Sequence, residues 1–200
     1  MLDPNELETE IRNLEHWQQV AFSAALTERM FNNFALFSKL MEFGDLNRMR
    51  TLLDGVWGEL AQNGSKLNYD VQLGHVDDNM VDLDEFDTFG AIPARDAMLA
   101  LYSTLMCKLE KEASDAVAVS NLSYETVSAY VEFAEADDQM SDEELIRMIN
   151  SHDMMLDEDA FQSEVLEQLK GAKQNAATIS ALRELGENQG ISNIGISDEE

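Results

Sequence analysis

Two features together confine this chain to helices: proline is almost absent, and apolar residues return every three or four positions along nearly its whole length. The two prolines, Pro4 and Pro93, both sit where a first helical turn tolerates them. No segment alternates apolar and polar residues over more than four or five positions, so no sheet is expected. The sequence also holds no fixed-period repeat and no low-complexity stretch.

The stripes and stop signals divide the chain. Asp3-Pro4-Asn5-Glu6 reads as a helix start, followed by Leu7, Ile11 and Leu14. Trp17, Val20, Ala21, Ala24 and Phe31 continue the pattern, with a break expected at Asn32-Asn33 before the stripe Phe34, Phe37, Met41. Asp45 is placed to cap a helix through Leu46, Met49, Leu53, Val56, Trp57 and Leu60, which Asn63-Gly64 ends. Gly55 and Gly58 inside it each cost about 1 kcal/mol of helix propensity against Ala, so close packing against a neighbouring helix is expected there. A short helix over 68–80 precedes an acidic connector, and a strongly apolar helix runs from about Pro93 to Leu109. Residues 112–136 read as one rod or as two pieces parted near Asn121. Ser141-Asp142-Glu143-Glu144 is a capping box, and a single long helix is expected from Asp157 to Leu185. Ile191, Ile194 and Ile196 predict a tail that docks on the body. The expectation is one all-α domain over 1–190, a mostly antiparallel bundle of seven to nine helices, with a C-terminal tail over 191–200.

The charge sets the surface. Forty Asp and Glu oppose 13 Lys and Arg, a formal net charge of -27. Such a field repels nucleic acid and anionic membrane and attracts cations and basic surfaces. The 44% hydrophobic content argues against disorder. Cys107, in an apolar run, reads as a small buried hydrophobe rather than a nucleophile, and with one cysteine no intrachain disulfide forms. The eleven methionines mostly share stripes with other apolar residues and read as core filler. No signal-peptide pattern opens the sequence and no stretch is apolar enough to span a bilayer, so a cytoplasmic protein without membrane association is expected.

Chemical motifs are missing. His16, His75 and His152 are far apart, and none follows a metal-binding helix pattern. No phosphate-binding glycine loop and no nucleophile elbow occurs. Seven acids between Lys66 and Arg95 meet no base, and sixteen between Lys111 and Lys170 meet only Arg147. These runs fail as calcium loops: Val81 and Asp82 spoil a loop starting at Asp77, and Phe86 spoils one starting at Asp82. No catalytic residue, cofactor or metal ligand is assigned. With only six lysines present, the acidity also fits a protein kept soluble in a salty interior.

Several strings, in order along the chain, resemble the YjaG-like family of small bacterial proteins. They are Leu14-Glu15-His16-Trp17-Gln18, Glu28-Arg29-Met30-Phe31, Phe43-Gly44-Asp45, Asn68-Tyr69-Asp70, and Phe86-Asp87-Thr88-Phe89-Gly90. Met140-Ser141-Asp142-Glu143-Glu144-Leu145 and Ser192-Asn193-Ile194-Gly195-Ile196 complete the set. The resemblance implies an all-helical single domain and carries no activity or site residue with it. Asn32 departs from the family pattern, standing where a proline is expected.

The leading expectation is a non-enzymatic acidic protein that binds a basic surface on a partner protein. Asp137, Asp138, Asp142, Glu143 and Glu144, within 132–159, form the candidate interaction surface. One alternative is a neutraliser or mimic acting on a nucleic-acid-binding protein, because clustered carboxylates can occupy a phosphate site. Another is an enzyme with a carboxylate or metal site between helices, sought first at the connector acids Asp82, Asp84, Glu85 and Asp87.

Overall fold

A computed structural model describes residues 4–64, 66–137 and 139–197. Nine α-helices are found among them: α1 (Pro4–Asn13), α2 (His16–Met41), α3 (Leu46–Leu60), α4 (Tyr69–Asp77), α5 (Ala91–Glu110), α6 (Ala113–Glu135), α7 (Asp142–Ser151), α8 (Asp153–Leu169) and α9 (Ala176–Glu187). The described residues contain no strand beyond one isolated bridge, Ile191 with Ser197. The cap expected at Asp3 lies outside the described residues.

Helix α2 is the axis of the molecule, with 18 of its 26 residues buried. A helix hidden on all sides needs small residues where neighbours cross it closely. Ala21, Ala24 and Ala25 on α2 and Ala94, Ala97 and Ala100 on α5 are fully buried, and these two helices share the largest interface. The hydroxyls of Thr27 and Thr104 meet across it at 2.9 Å. Two residues link α5 to α6, which packs back on both α5 and α2.

The break expected at Asn32-Asn33 is absent: α2 runs straight through. Distant partners receive the side-chain NH2 groups of both. Asn32 donates to the Gly190 carbonyl at 2.6 Å, and Asn33 donates to Asn193 Oδ1 at 3.0 Å. The single long helix expected over 157–185 is two. Gly171, at φ 69°, turns the chain after α8, and Asn175 caps α9 by accepting from the Thr178 amide at 3.0 Å. The apolar stripe carries across the gap because both helices pack on the same body, so periodicity alone hides the corner. Residues 113–135 are one rod.

The glycines of α3 have a different reason from the expected one. A Cβ on Gly58 would lie 3.2 Å from the Gly64 Cα, and one on Gly55 would lie 3.1 Å from the Leu67 methyls. The close neighbour is the loop that leaves α3, folded back along it, not another helix. Asp45 caps α3 as expected, accepting from the Arg48 amide at 3.0 Å.

The tail docks. Ser192, Asn193 and Ile194 are buried, and Asn193 donates to Ser123 Oγ at 3.1 Å, tying the tail to α6. Ile191 differs from expectation and stays exposed. Met30, Met49 and Met98 lie in the core, whereas Met41 faces outward.

Candidate functional site

The two acidic stretches fold into different settings. In the connector, Asp82, Asp84, Glu85 and Asp87 are all exposed, and Asp82 accepts from the Asp84 amide at 2.9 Å, a turn that aims the run outward. The connector's aromatic residues point the other way. Phe86 packs edge-to-face on Phe37 and Phe43, with ring centres 5.1 and 5.3 Å away. Phe89 stacks on Phe133 of α6 at 4.1 Å and 17°. Phe133 is itself 66% exposed. Leu83, Phe86, Asp87, Phe89, Ile92 and Phe133 line an open hollow of about 440 Å³. Phe133 leads directly into the second acidic stretch, since Glu132, Glu135 and Asp137 are exposed around it. The fold therefore joins the connector and the end of α6 in one aromatic hollow, with Asp87 in its lining and exposed acids on the chain to either side of Phe133.

The remaining members of the sequence-derived surface lie apart from that lining. Asp142, Glu143 and Glu144 form the exposed first turn of α7. Glu144 closes the capping box: it accepts from the Ser141 amide at 3.0 Å and from its hydroxyl at 2.8 Å, which holds its carboxyl below the usual range. Asp137 accepts from the Gln139 amide at 2.9 Å. Asp138 lies outside the described residues. Met140 and Ile146, close to these acids in sequence, and Leu156 of α8 are also exposed.

A second concave site was not anticipated from sequence. Helices α1, α6 and α8, with Asn150 of α7, line a pocket of about 310 Å³ whose apolar wall includes Leu7, Ile11, Val117 and Met155. Its polar residues include Asp159 and Tyr124, whose hydroxyl donates to Asp159 Oδ1 at 2.6 Å. Burial and this carboxylate together push the Tyr124 hydroxyl far up, so it stays protonated. Next to Asp159, Glu158 is fully buried. It accepts from Gln162 at 2.8 Å and lies 4.0 Å from the Arg29 guanidinium, which stacks on the Phe161 ring at 4.2 Å. Burial raises the Glu158 carboxyl and lowers Arg29, with each charge partly offsetting the other's shift. One signal for this cluster was present: Glu158 stands three and seven residues before Phe161 and Val165, on the apolar stripe of α8.

The other ionic cluster is structural. Glu28 of α2 accepts from the two terminal guanidinium nitrogens of Arg50 at 2.5 and 2.8 Å and from the Trp57 indole at 2.7 Å. Arg183 of α9 reaches Asp54 at 2.7 Å, so α2, α3 and α9 are clamped together.

The histidines occupy separate places. His16 meets the Cys107 carbonyl at 3.0 Å, His75 meets Arg48 at 3.0 Å, and His152 accepts from the Met154 amide at 3.2 Å. Among the described residues, no three His, Cys, Asp or Glu side chains converge as a metal-binding group. Cys107 is buried, and its thiol is pushed up to about 12 by burial, which leaves it unreactive. No helix among the described residues is long and apolar enough to cross a membrane.

Fold and surface thus define an all-α domain with an acidic exterior, in which the aromatic hollow and the pocket beside Asp159 are the candidate sites. Residues 6–197 match the family model described as "Protein of unknown function (DUF416)", and the chain belongs to that family. It is 39% identical to "Uncharacterized protein YjaG" of Escherichia coli K12 over 142 residues, which is 70% of this chain and 72% of that one. An uncharacterized protein of Haemophilus influenzae is 33% identical over 195 residues, covering 96% and 97% of the two chains. The crystal structure of a DUF416 family protein from Shewanella baltica superposes with a TM-score of 0.87 at 33% identity, over 95% of this chain and 97% of that one.

Proposed function

We propose that this protein is a non-enzymatic, cytoplasmic bacterial binding protein whose aromatic hollow receives a basic, amphipathic segment of a partner protein. The observation that carries the reading is Phe133, two-thirds exposed yet stacked on Phe89 in the lining of a hollow that also holds Asp87. Exposed aromatic residues grouped in a hollow mark interaction sites, and aromatic anchors dominate the energetics of many interfaces. Asp87 and the exposed acids near it and Phe133 in the chain select for positive charge, speed encounter and reject anionic surfaces. The apolar floor supplies the contact area that charge alone does not. Asp142 and Glu143 on α7 extend the same negative field.

The test is an affinity capture of the tagged protein from its own cell lysate, washed at low and moderate salt and read by mass spectrometry. A stoichiometric basic partner should be retained by the wild type. It should be lost with Phe133→Ser, and weakened by reversing Asp82, Asp84, Glu85 and Asp87 to Lys. Retention by both variants would sink the proposal. A partner that binds nucleic acid and is displaced by DNA or RNA would identify the protein as a neutraliser of that partner.

A further inference from the structure

The pocket between α1, α6 and α8 is independent of the aromatic hollow and has its own chemistry. Leu7, Ile11, Val117 and Met155 form its apolar wall, Ser120, Asn121 and Asn150 add neutral polar groups, and no Lys or Arg among the described residues lines it. Three carboxylates do: Glu8, Glu125 and Asp159. Glu8 is held at the exposed rim by Arg12 at 2.8 Å, and Glu125 is also exposed. Asp159 is different, being 8% exposed and oriented by the Tyr124 hydroxyl at 2.6 Å. A second carboxylate, Glu158, is buried immediately behind it, and the guanidinium of Arg29 lies on the Glu158 side.

A largely desolvated carboxylate in an apolar wall favours a cationic occupant over a neutral or anionic one. Coulomb attraction is strong where water is scarce, and an anion would add like-charge repulsion to its own desolvation. The Tyr124 oxygen keeps acceptor capacity after donating its proton, so one N–H of a ligand can bond the phenol while another bonds Asp159. At about 310 Å³ the pocket is at the small end of ligand sites, which span roughly 300–1,000 Å³. A cavity of about 150 Å³ holds benzene, so there is room for a ring and a short chain.

We propose that this pocket binds a small hydrophobic ammonium ion, its charged head on Asp159 and Tyr124 and its body against Leu7, Ile11, Val117 and Met155. The head needs at least two N–H donors, so primary amines are preferred to quaternary ones.

The experiment is calorimetric titration at matched ionic strength with 2-phenylethylammonium and cyclohexylammonium, against the neutral 2-phenylethanol and the anionic 3-phenylpropionate. The expected result is binding of at least one ammonium ion with a Kd of about 1 mM or tighter. 2-Phenylethanol should bind at least tenfold more weakly, and 3-phenylpropionate should give no signal. Asp159→Asn should weaken the ammonium ion at least tenfold and leave 2-phenylethanol unchanged. Asn121→Trp, an exposed position on the pocket lining, plugs the mouth without touching the core and should weaken both. This second variant decides the matter if Asp159→Asn loses its helical signal. Equal binding of neutral and cationic probes overturns the proposal, as does no ammonium binding at all. Ammonium binding that survives Asn121→Trp places the cation on the acidic exterior and overturns it too. Phe133→Ser, which should abolish partner capture, is expected to leave ammonium binding intact, so the two sites fail separately.

Discussion

The region around α2 and α5 and the region beneath α7 use the same residue types in opposite ways. Around α2, Phe22, Leu26, Phe34, Met98 and Leu101 are fully buried, and Glu28 is saturated by Arg50 and Trp57. Beneath α7, the buried apolar cluster among the described residues is Val127, Val131, Ile149 and Ile194, with half-covered neighbours such as Leu145 and Met148. There the carboxylates face water, and Met140, Ile146 and Leu156 are exposed. The contrast teaches where stability and recognition are placed. Dense packing and internal ion pairs hold the first region in one arrangement. The second buries too little to be stable alone and leaves its apolar side chains available to something else.

The largest effect that tests this division is in the core. Phe22→Ala should cost about 3–5 kcal/mol, because a packed interior collapses only partly around a lost ring. Chemical denaturation reads it, and a cost near that of a surface change would mean that α2 is not the axis of stability. Next is the buried pair. Arg29→Ala should cost about 3 kcal/mol, since it strands the fully buried Glu158.

Glu158 also fixes a pH dependence. Its folded carboxyl is raised above its ordinary value of 4.5 by burial, so its contribution is fully present below that value and is lost as pH rises. The stability of the wild type relative to Glu158→Gln should therefore fall as pH increases from 4.5 towards neutrality. Urea denaturation of both proteins across that window checks the sign; a relative stability that rises would mean that Arg29 lowers the carboxyl more than burial raises it.

Gly186→Ala sharpens the same region. In an isolated helix the change would gain about 1 kcal/mol. Here a Cβ would lie 2.7 Å from the Ala25 carbonyl oxygen, a backbone atom that cannot swing away. Overpacking should win, with a net loss of about 1–3 kcal/mol and a lower melting temperature.

How much of this was readable in the sequence follows from the range of each interaction. Caps and short stripes were legible, because Asp45, Ser141 and the run from Pro93 act within one or two turns. The continuity of α2 through Asn32-Asn33 was not, because the groups that accept from those side-chain NH2 groups come from Gly190 and Asn193, about 160 residues away. The corner at Gly171 was masked by a stripe that serves two helices. At the candidate sites, the acids were visible as runs, but the Phe89–Phe133 stack that joins two of those runs is a tertiary contact. Tyr124 and Asp159 meet across 35 positions and carry no local pattern.

In the second region the effects should be smaller and local. Ser141→Ala removes one half of the capping box and should cost about 1 kcal/mol. Hydrogen exchange should speed in α7 while α2 and α5 keep their protection, because opening α7 exposes few buried contacts. Uniform acceleration through the molecule would show that the small cluster is coupled to the main core.

The smallest stability effect belongs to Phe133. Two-thirds of the ring is already exposed, so Phe133→Ser gives up little buried area, chiefly its stack on Phe89. Such a pair is worth about 0.5–1.5 kcal/mol, and thermal melting should shift accordingly little. If the hollow is the partner site, the same substitution removes an anchor at its edge, and capture should fall far more than stability does. A large melting shift with capture unchanged would reverse the comparison, making Phe133 a strut of the fold and the acidic exterior a surface for water alone.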